Sequence, residues 1–147
     1  MGQLNLSDFQ SVYIDTSVVI YTVEANPSYY SLLQPLWERF QIGDIELMTS
    51  ELTLMEVLVM PIRQENYTLI EDYRNLLEST QIQLIPIERE ILLGAAELRA
   101  RTNLKTPDAI HATTAINANC DLFLTNDRAF DRISILSAII LDDVLYS

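Results

Sequence analysis

Five short apolar runs, VYI (12–14), IELMT (45–49), IQLIPI (82–87), DLFLT (121–125) and AIIL (138–141), are separated by longer stretches with helical periodicity. Strands that are apolar on both faces need cover on both, and strands joined through helices run parallel. The expected fold class is therefore α/β, an α/β/α sandwich around a central, mainly parallel sheet of four or five strands. The helical stretches are TSVVIYTVEA (16–25), PSYYSLLQPLWERF (27–40), the segment from Glu51 to near Pro61, ENYTLIEDYRNLLEST (65–80), EREILLGAAELRART (88–102) and PDAIHATTAINANC (107–120). Pro27 opens the second of these and Pro35 re-angles it, while Ser50 caps the third. In the fourth, Tyr67, Ile70, Tyr73, Leu76 and Leu77 share one stripe. With no repeats, low-complexity tracts or linkers, residues 1–147 read as one domain, 1–10 being a short N-terminal extension.

Composition narrows the class. The chain is 49% hydrophobic, which suits a packed globule and not a disordered acidic tail. No apolar run reaches the ~18–20 residues that span a bilayer. Residues 1–10 lack the basic start and apolar run of a signal peptide. Cys120 is the single cysteine, so no internal disulfide can form, and a reducing cytoplasmic setting is expected. Cys120 itself reads as a structural thiol at a helix end. The net charge of −12 opposes binding to nucleic acid. Its distribution is uneven, however. Arg99, Arg101, Lys105, Arg128 and Arg132 all fall within residues 99–132, against four acids there, so this window is near neutral and the remainder strongly negative.

Ligands of parallel sheets bind beyond the carboxyl ends of the strands. Asp15 follows VYI and Asp127 follows LFLT, so two strands deliver an aspartate to that edge. Asp108 lies in the first turn of its helix, behind Thr106 as cap and Pro107 as first helical residue, where the helix dipole favours negative charge by ~0.3–1 kcal/mol. Glu56 is the unusual acid. At i, i+3, i+4, i+7 spacing it shares a face with Leu52, Met55 and Val59, and a carboxylate among hydrocarbon needs compensation. Each acid also has a purely structural reading. Asp15 or Thr16 can cap a helix, Asp108 can be an ordinary first-turn acid, Asp127 can close an Asx turn, and Glu56 can pair with Thr53 in a capping box.

Taken together, four carboxylates at one sheet edge repel each other unless cations sit between them. Hard divalent ions such as Mg²⁺ or Mn²⁺ accept oxygen ligands and leave positions for a phosphate. Two such ions can activate water and stabilise a leaving oxygen in phosphodiester cleavage. With one His and one Cys there is no zinc cluster, and glycines only at 2, 43 and 94 give no phosphate-binding loop. There is no G-x-S-x-G elbow for a triad with His111.

VYIDTSVVIY, SELTLMEVL, TPDAIHATTA and FLTNDRAF resemble, in order and over nearly the whole chain, the four sequence blocks of PIN domains. The resemblance implies a metal-dependent nuclease fold in which Asp15, Glu56, Asp108 and Asp127 are the catalytic, metal-binding acids for one or two Mg²⁺ (or Mn²⁺) ions. Thr16 and Thr125 resemble polar residues that support the acids. A lone short PIN domain most resembles the VapC-type toxins of bacterial toxin–antitoxin pairs. That implies a cytoplasmic endoribonuclease hydrolysing RNA, a homodimer, and silencing by a cognate antitoxin. On this reading Glu56 is tolerated because a cation, shared with the three aspartates, compensates its charge. Arg99, Arg101, Lys105, Arg128 and Arg132 could hold flanking RNA phosphates.

His111, one turn after Asp108, can bond the carboxylate or ligate, but reads best as a structural histidine beside the site. Asp131 reads as an exposed loop acid. Tyr29, Tyr30 and Trp37 could stack bases, although their helical spacing suits a core or dimer surface. Two other functional classes compete. One is a PIN-like module that binds RNA without cutting. The other is an Asp-dependent phosphatase of the haloacid dehalogenase type, weakened because Ser17 stands two after Asp15 where that chemistry resembles D-x-D. A phosphoacceptor receiver fits worse, since no lysine follows Lys105.

Overall fold

The computed structural model describes residues 2–147. Its strands are β1 (Ser11–Ile14), β2 (Glu46–Ser50), β3 (Gln83–Ile85), β4 (Leu122–Thr125) and β5 (Ala138–Ile140). They form one sheet in the order β3-β2-β1-β4-β5, with every pairing parallel, so the α/β expectation holds with five strands. The chain moves outward from β1 through β2 to β3, then returns to the other side of β1 for β4 and β5. Strand order thus reverses between β1 and β4, and this switch point is where such sheets open a crevice at their carboxyl ends.

Alternate strand residues feed two cores, one on each face. Val12, Ile14, Leu47, Leu122 and Leu124 point to the layer of α1 (Thr16–Val23), α2 (Tyr30–Gln41), α3 (Glu51–Arg63), α4 (Tyr67–Glu78) and the terminal α7 (Leu141–Leu145). Tyr13, Met48 and Phe123 point to the other layer, built from α5 (Arg89–Arg101) and α6 (Thr106–Asn117). Residues 2–10 carry no regular structure, yet Leu4 and Leu6 are buried in the first core and the Arg39 guanidinium bonds the Leu6 carbonyl. Among the described residues no helix is long and apolar enough to cross a membrane.

Several local expectations need correction. The buried face of α3 is Thr53, Val57 and Pro61, whereas Met55 is 61% exposed and Val59 is exposed too. The stripe through Leu52, Met55, Glu56 and Val59 is therefore not the buried face: Leu52 packs against the second core, Met55 and Val59 face outward, and Glu56 is half-buried. Pro61 does not stop α3. It lies in the last turn, where it cannot donate to the Val57 carbonyl, and the helix nevertheless runs on to Arg63. In α4, Tyr67 is exposed and only Tyr73 and Leu77 are fully buried. Thr106 is the first residue of α6 and not its cap, a position taken by Lys105 without a side-chain bond. A 3₁₀ turn (Arg128–Arg132) and α7 were not anticipated, being too short for a periodic signal.

Helix α6 is unusual in burying every residue from Ala109 to Ala115. Three of those are alanines, which let it lie close to the sheet. Its approach to α5 is closest at Gly94, where an added Cβ would stand 2.7 Å from Thr113 Cγ2. Alanine is ~1 kcal/mol better than glycine inside a helix, but forcing extra atoms into a packed contact costs about 1–3 kcal/mol, and β-branched Thr113 cannot swing away. Gly94→Ala is therefore expected to lower the urea midpoint. Adding Thr113→Ser, which removes the opposing methyl, should restore or exceed wild-type stability; a single variant more stable than wild type would refute the close packing.

Candidate active site

Asp15 ends β1 and begins α1 at once. Its backbone N–H extends the ladder to Leu124 by a 3.2 Å bond, and its side chain caps α1 through the Val18 N–H. The buried carboxylate also accepts from the Ser17 hydroxyl at 2.6 Å and from the Thr125 hydroxyl. Burial pushes the Asp15 carboxyl up from its ordinary value, and these donors only partly offset the push. Thr125, the last residue of β4, does two jobs, because its oxygen accepts the Asp127 N–H at 3.0 Å. One hydroxyl thus ties the aspartates of the two switch-point strands.

Asp127 in turn caps the 3₁₀ turn, accepting from Ala129 N–H at 2.9 Å in the Asx geometry expected of a structural aspartate. The loop that carries it is pinned to α7. Asn126 Oδ1 accepts the Asp142 N–H at 2.9 Å while Asn126 Nδ2 reaches the Tyr21 hydroxyl at 3.0 Å. Tyr29, stacked on Tyr21, donates to Asp142. Sequence reasoning missed Asn126 and Asp142 because their partners are 16 residues apart across an unanticipated helix.

Asp108 occupies the first turn of α6 as expected. Its carboxyl is pushed up by burial, then by the negative charge of Asp127, with Asp15 and Glu56 adding to it and His111 opposing. All four acids therefore share one electrostatic neighbourhood. Glu56 behaves oppositely: burial pushes it up, but hydrogen bonds from His111 and Thr16 outweigh that and hold its carboxyl below the ordinary range. Thr16 Oγ1 and His111 Nε2 each lie 2.7 Å from Glu56 Oε1. A hydroxyl and an imidazole thus compensate Glu56 on its Oε1 side.

His111 is buried, as the structural reading expects, but the carboxylate it bonds is that of Glu56 and not that of Asp108 one turn before it. Its Nδ1 lies 2.6 Å from the hydroxyl of Tyr13, whose ring stacks on Phe123. Tyr13 is the residue sequence reasoning missed outright. A buried phenol and a lone buried histidine each need a polar partner, and that mutual need was the available signal.

The chemistry of the donor set suits a hard cation, since all four side chains are carboxylates. The side chains are not gathered into a cage, however. Among the described residues, no three His, Cys, Asp or Glu side chains form a group that could hold a metal ion as they stand. Both oxygens of Asp15 and Oε1 of Glu56 face protein donors.

The basic residues divide. Arg99 is a clamp, bonding the Leu104 carbonyl at 3.0 Å and the Thr106 hydroxyl at 2.9 Å. Arg128 pairs with Asp143 and lies 3.8 Å from Asp131. Arg101, Lys105 and Arg132 are exposed, as is Tyr30, whereas Trp37 is half-buried and donates to Thr22 at 2.9 Å. Cys120 sits just past α6 as a half-buried thiol, and burial pushes it up to about 11.

Residues 12–136 match the family profile described as the PIN domain. Among solved structures, the chain is similar to VapBC2 from Rickettsia felis bound to a DNA fragment from their promoter, with a TM-score of 0.69 and 20% identity, covering 88% of this chain and 98% of that one. A toxin–antitoxin complex from Klebsiella pneumoniae gives a TM-score of 0.67 and 22% identity over 87% of this chain and 95% of that one. FitAcB from Neisseria gonorrhoeae gives 0.64 and 16% over 87% and 96%. Comparison with curated protein sequences finds no match.

The raised Asp15 carboxyl makes a signed prediction. A group that holds its proton more tightly when folded favours folding below its unfolded value, 3.8, and loses that contribution as pH rises through its folded value. At neutral pH the ionised carboxylate is then a net burden. In chelator, Asp15→Asn is expected to raise the melting temperature at pH 7, with the gain shrinking as pH falls through the raised folded value and levelling off near 3.8. A variant less stable than wild type at pH 7 would contradict it.

Proposed function

Because the chain belongs to the PIN domain family, we propose that it is a Mg²⁺- or Mn²⁺-dependent endoribonuclease that hydrolyses RNA phosphodiesters as the cytoplasmic toxin of a type II toxin–antitoxin pair. The observation that carries this reading is Asp108 at the switch point, whose carboxyl is pushed up by burial and then by the negative charges of Asp127, Asp15 and Glu56. Negative charge that burial leaves uncancelled is what a hard cation relieves.

In this reading the four acids hold one or two ions, with Glu56 contributing Oε2, since both its protein bonds end on Oε1. When bound, a divalent ion supplies Lewis acidity that activates water and neutralises charge building on the scissile phosphate. The chain's own residues position the acids. Thr125 keeps Asp15 and Asp127 in register, and Thr16 with His111 keeps Glu56 ionised. Arg101, Lys105 and Arg132 hold flanking phosphates. Arg99 and Arg128 drop to a structural role, because their guanidiniums are already engaged. An antitoxin partner is supported by the similar structures named as VapBC and toxin–antitoxin complexes. A homodimer completes the reading, with the outward apolar residues Met55, Val59, Met60 and Ile62 of α3 as surface for assembly.

One observation favours the non-cleaving module instead: the acids are not gathered into a ligand group, and Asp15 is fully engaged by hydroxyls. Incubation of a mixed RNA pool separates the two. Mg²⁺-dependent cleavage, abolished by chelator and reduced roughly 100-fold or more in Asp15→Asn or Asp108→Asn, is the expected result. RNA binding without cleavage in any divalent ion would favour the module, and release of phosphate from small phosphomonoesters would favour a phosphatase.

The division of basic residues gives a second prediction. For single-stranded RNA, each phosphate contact removed should lower the slope of log K against log salt by about 0.7. Arg101→Ala with Lys105→Ala is expected to flatten that slope, whereas Arg99→Ala and Arg128→Ala should leave it unchanged and lower stability. An unchanged slope in the double variant would remove this surface from the proposal.

A further inference from the structure

We propose that His111 is a positioning residue that orients Glu56, and that the placement of its proton is dictated by Tyr13 and, behind Tyr13, by the backbone amide of Ser50. The Ser50 N–H lies 3.1 Å from the Tyr13 phenol oxygen, and an amide nitrogen can only donate. That bond leaves the phenol's own proton to be placed elsewhere: the Thr49 hydroxyl also faces the phenol but is bonded to Thr53 at 2.8 Å, and His111 Nδ1 lies 2.6 Å away as the better-placed acceptor. Nδ1 must then accept, so the ring's single proton belongs on Nε2. From Nε2 it points at Glu56 Oε1, 2.7 Å away. The opposite tautomer would aim the Nε2 lone pair at a carboxylate oxygen and make the phenol accept from both Ser50 and His111.

The relay is buried at its centre, with Tyr13 and His111 almost inaccessible to water. Ring packing holds Tyr13 in place, its ring being 5.0 Å from that of Phe123 and nearly parallel to it, at 7°. Each member comes from an element that carries an acid of the site or caps one. Ser50 is the N-cap of α3, which bears Glu56. Tyr13 lies on β1, which ends at Asp15, and His111 lies on α6, which bears Asp108. Thr16, the residue after Asp15, donates to the same Oε1. Two donors therefore saturate one oxygen, and among the described residues none reaches Oε2. The geometry points to Oε2 as the atom Glu56 presents to a cation, with His111 acting only through Glu56. The cation clause rests on the nuclease reading; the tautomer and the orientation of Glu56 do not.

His111 is the only histidine, so its ring nitrogens give unambiguous ¹⁵N signals. In chelator at neutral pH, long-range ¹H–¹⁵N correlation of the wild-type chain should show a bare Nδ1 and a protonated Nε2. Tyr13→Phe should lose that preference. Titration with Mn²⁺ alone should show affinity reduced about 10- to 100-fold in Tyr13→Phe and His111→Leu. His111→Gln, which keeps a donor able to reach Glu56, should recover part of it. A protonated Nδ1 in the wild-type chain would overturn the proposal without any variant having to fold. So would a Tyr13→Phe variant with unchanged tautomer and unchanged Mn²⁺ affinity. The stated tautomer in a wild-type chain that binds no Mn²⁺ would uphold the orientation of Glu56 and defeat the nuclease reading instead.

Discussion

Asp15 stands at the end of the central strand with its carboxylate buried, and a buried carboxylate must be given donors or take up a proton. Much of the polar interior can be traced to that demand. Ser17 and Thr125 are supplied to it, Thr125 is thereby fixed, and Asp127 is fixed through Thr125. The same demand, one helix away, brings Thr16 and His111 to Glu56 and recruits Tyr13 behind His111. These bonds join β1, β4, α1, α3 and α6, so the charge the site concentrates also cross-links the layers that surround it. An apolar core could fill the same space with fewer conditions. Retaining a satisfied network of acids and hydroxyls is stability given up for chemistry.

The sheet was legible because its signal is redundant. VYI and LFLT are apolar on both faces, which only a parallel strand between two helical layers can satisfy, and all five runs became strands. Strand order was not legible, because register and neighbour choice depend on contacts between segments far apart in the chain. Helix faces were legible only where polarity was consistent. In α4, Tyr73 and Leu77 followed the stripe, but exposed Tyr67, the first residue of the helix, did not. In α3 the apolar residues run almost all round, so the i, i+3, i+4, i+7 template matched several faces and selected the wrong one. The actual buried face is led by Thr53, a residue whose hydroxyl is satisfied by Thr49 at 2.8 Å. Nothing in periodicity announces a buried threonine whose partner sits four residues earlier on a strand.

For the site, position relative to strand ends was the informative signal, and side-chain commitment was the invisible one. Asp15 and Asp127 were found because each follows a strand. Their structural readings also proved true, since both are caps. Capping and function are therefore not rivals at a strand–helix junction: the exposed N–H groups that need a cap also pin the carboxylate in place. Glu56 was singled out for the wrong reason, as an acid in hydrocarbon, when it is a half-buried acid held by His111 and Thr16. Arg99 and Arg128 illustrate the converse. A sequence shows that a guanidinium exists but not that a carbonyl or an aspartate already bonds it, as Leu104 does for Arg99 and Asp143 for Arg128.

The commitments of Asp15 also bear on which chemistry the acids can perform. A carboxylate that acts as a nucleophile on phosphorus needs a free oxygen directed at its substrate. Here Oδ1 accepts from Ser17 and Val18, and Oδ2 accepts from Thr125. Ser17 occupies the position where the phosphatase pattern places its second aspartate, and it bonds the first one instead of offering a second carboxyl. In the proposed chemistry a charged, donor-rich anchor has a use, because the ligand of a cation must be ionised and oriented while the attack is made by water. The raised Asp15 carboxyl is consistent with that assignment, since a nearby cation would lower it and recover the cost of burying the charge. Asp15 is thus better suited to hold an ion than to attack a phosphate.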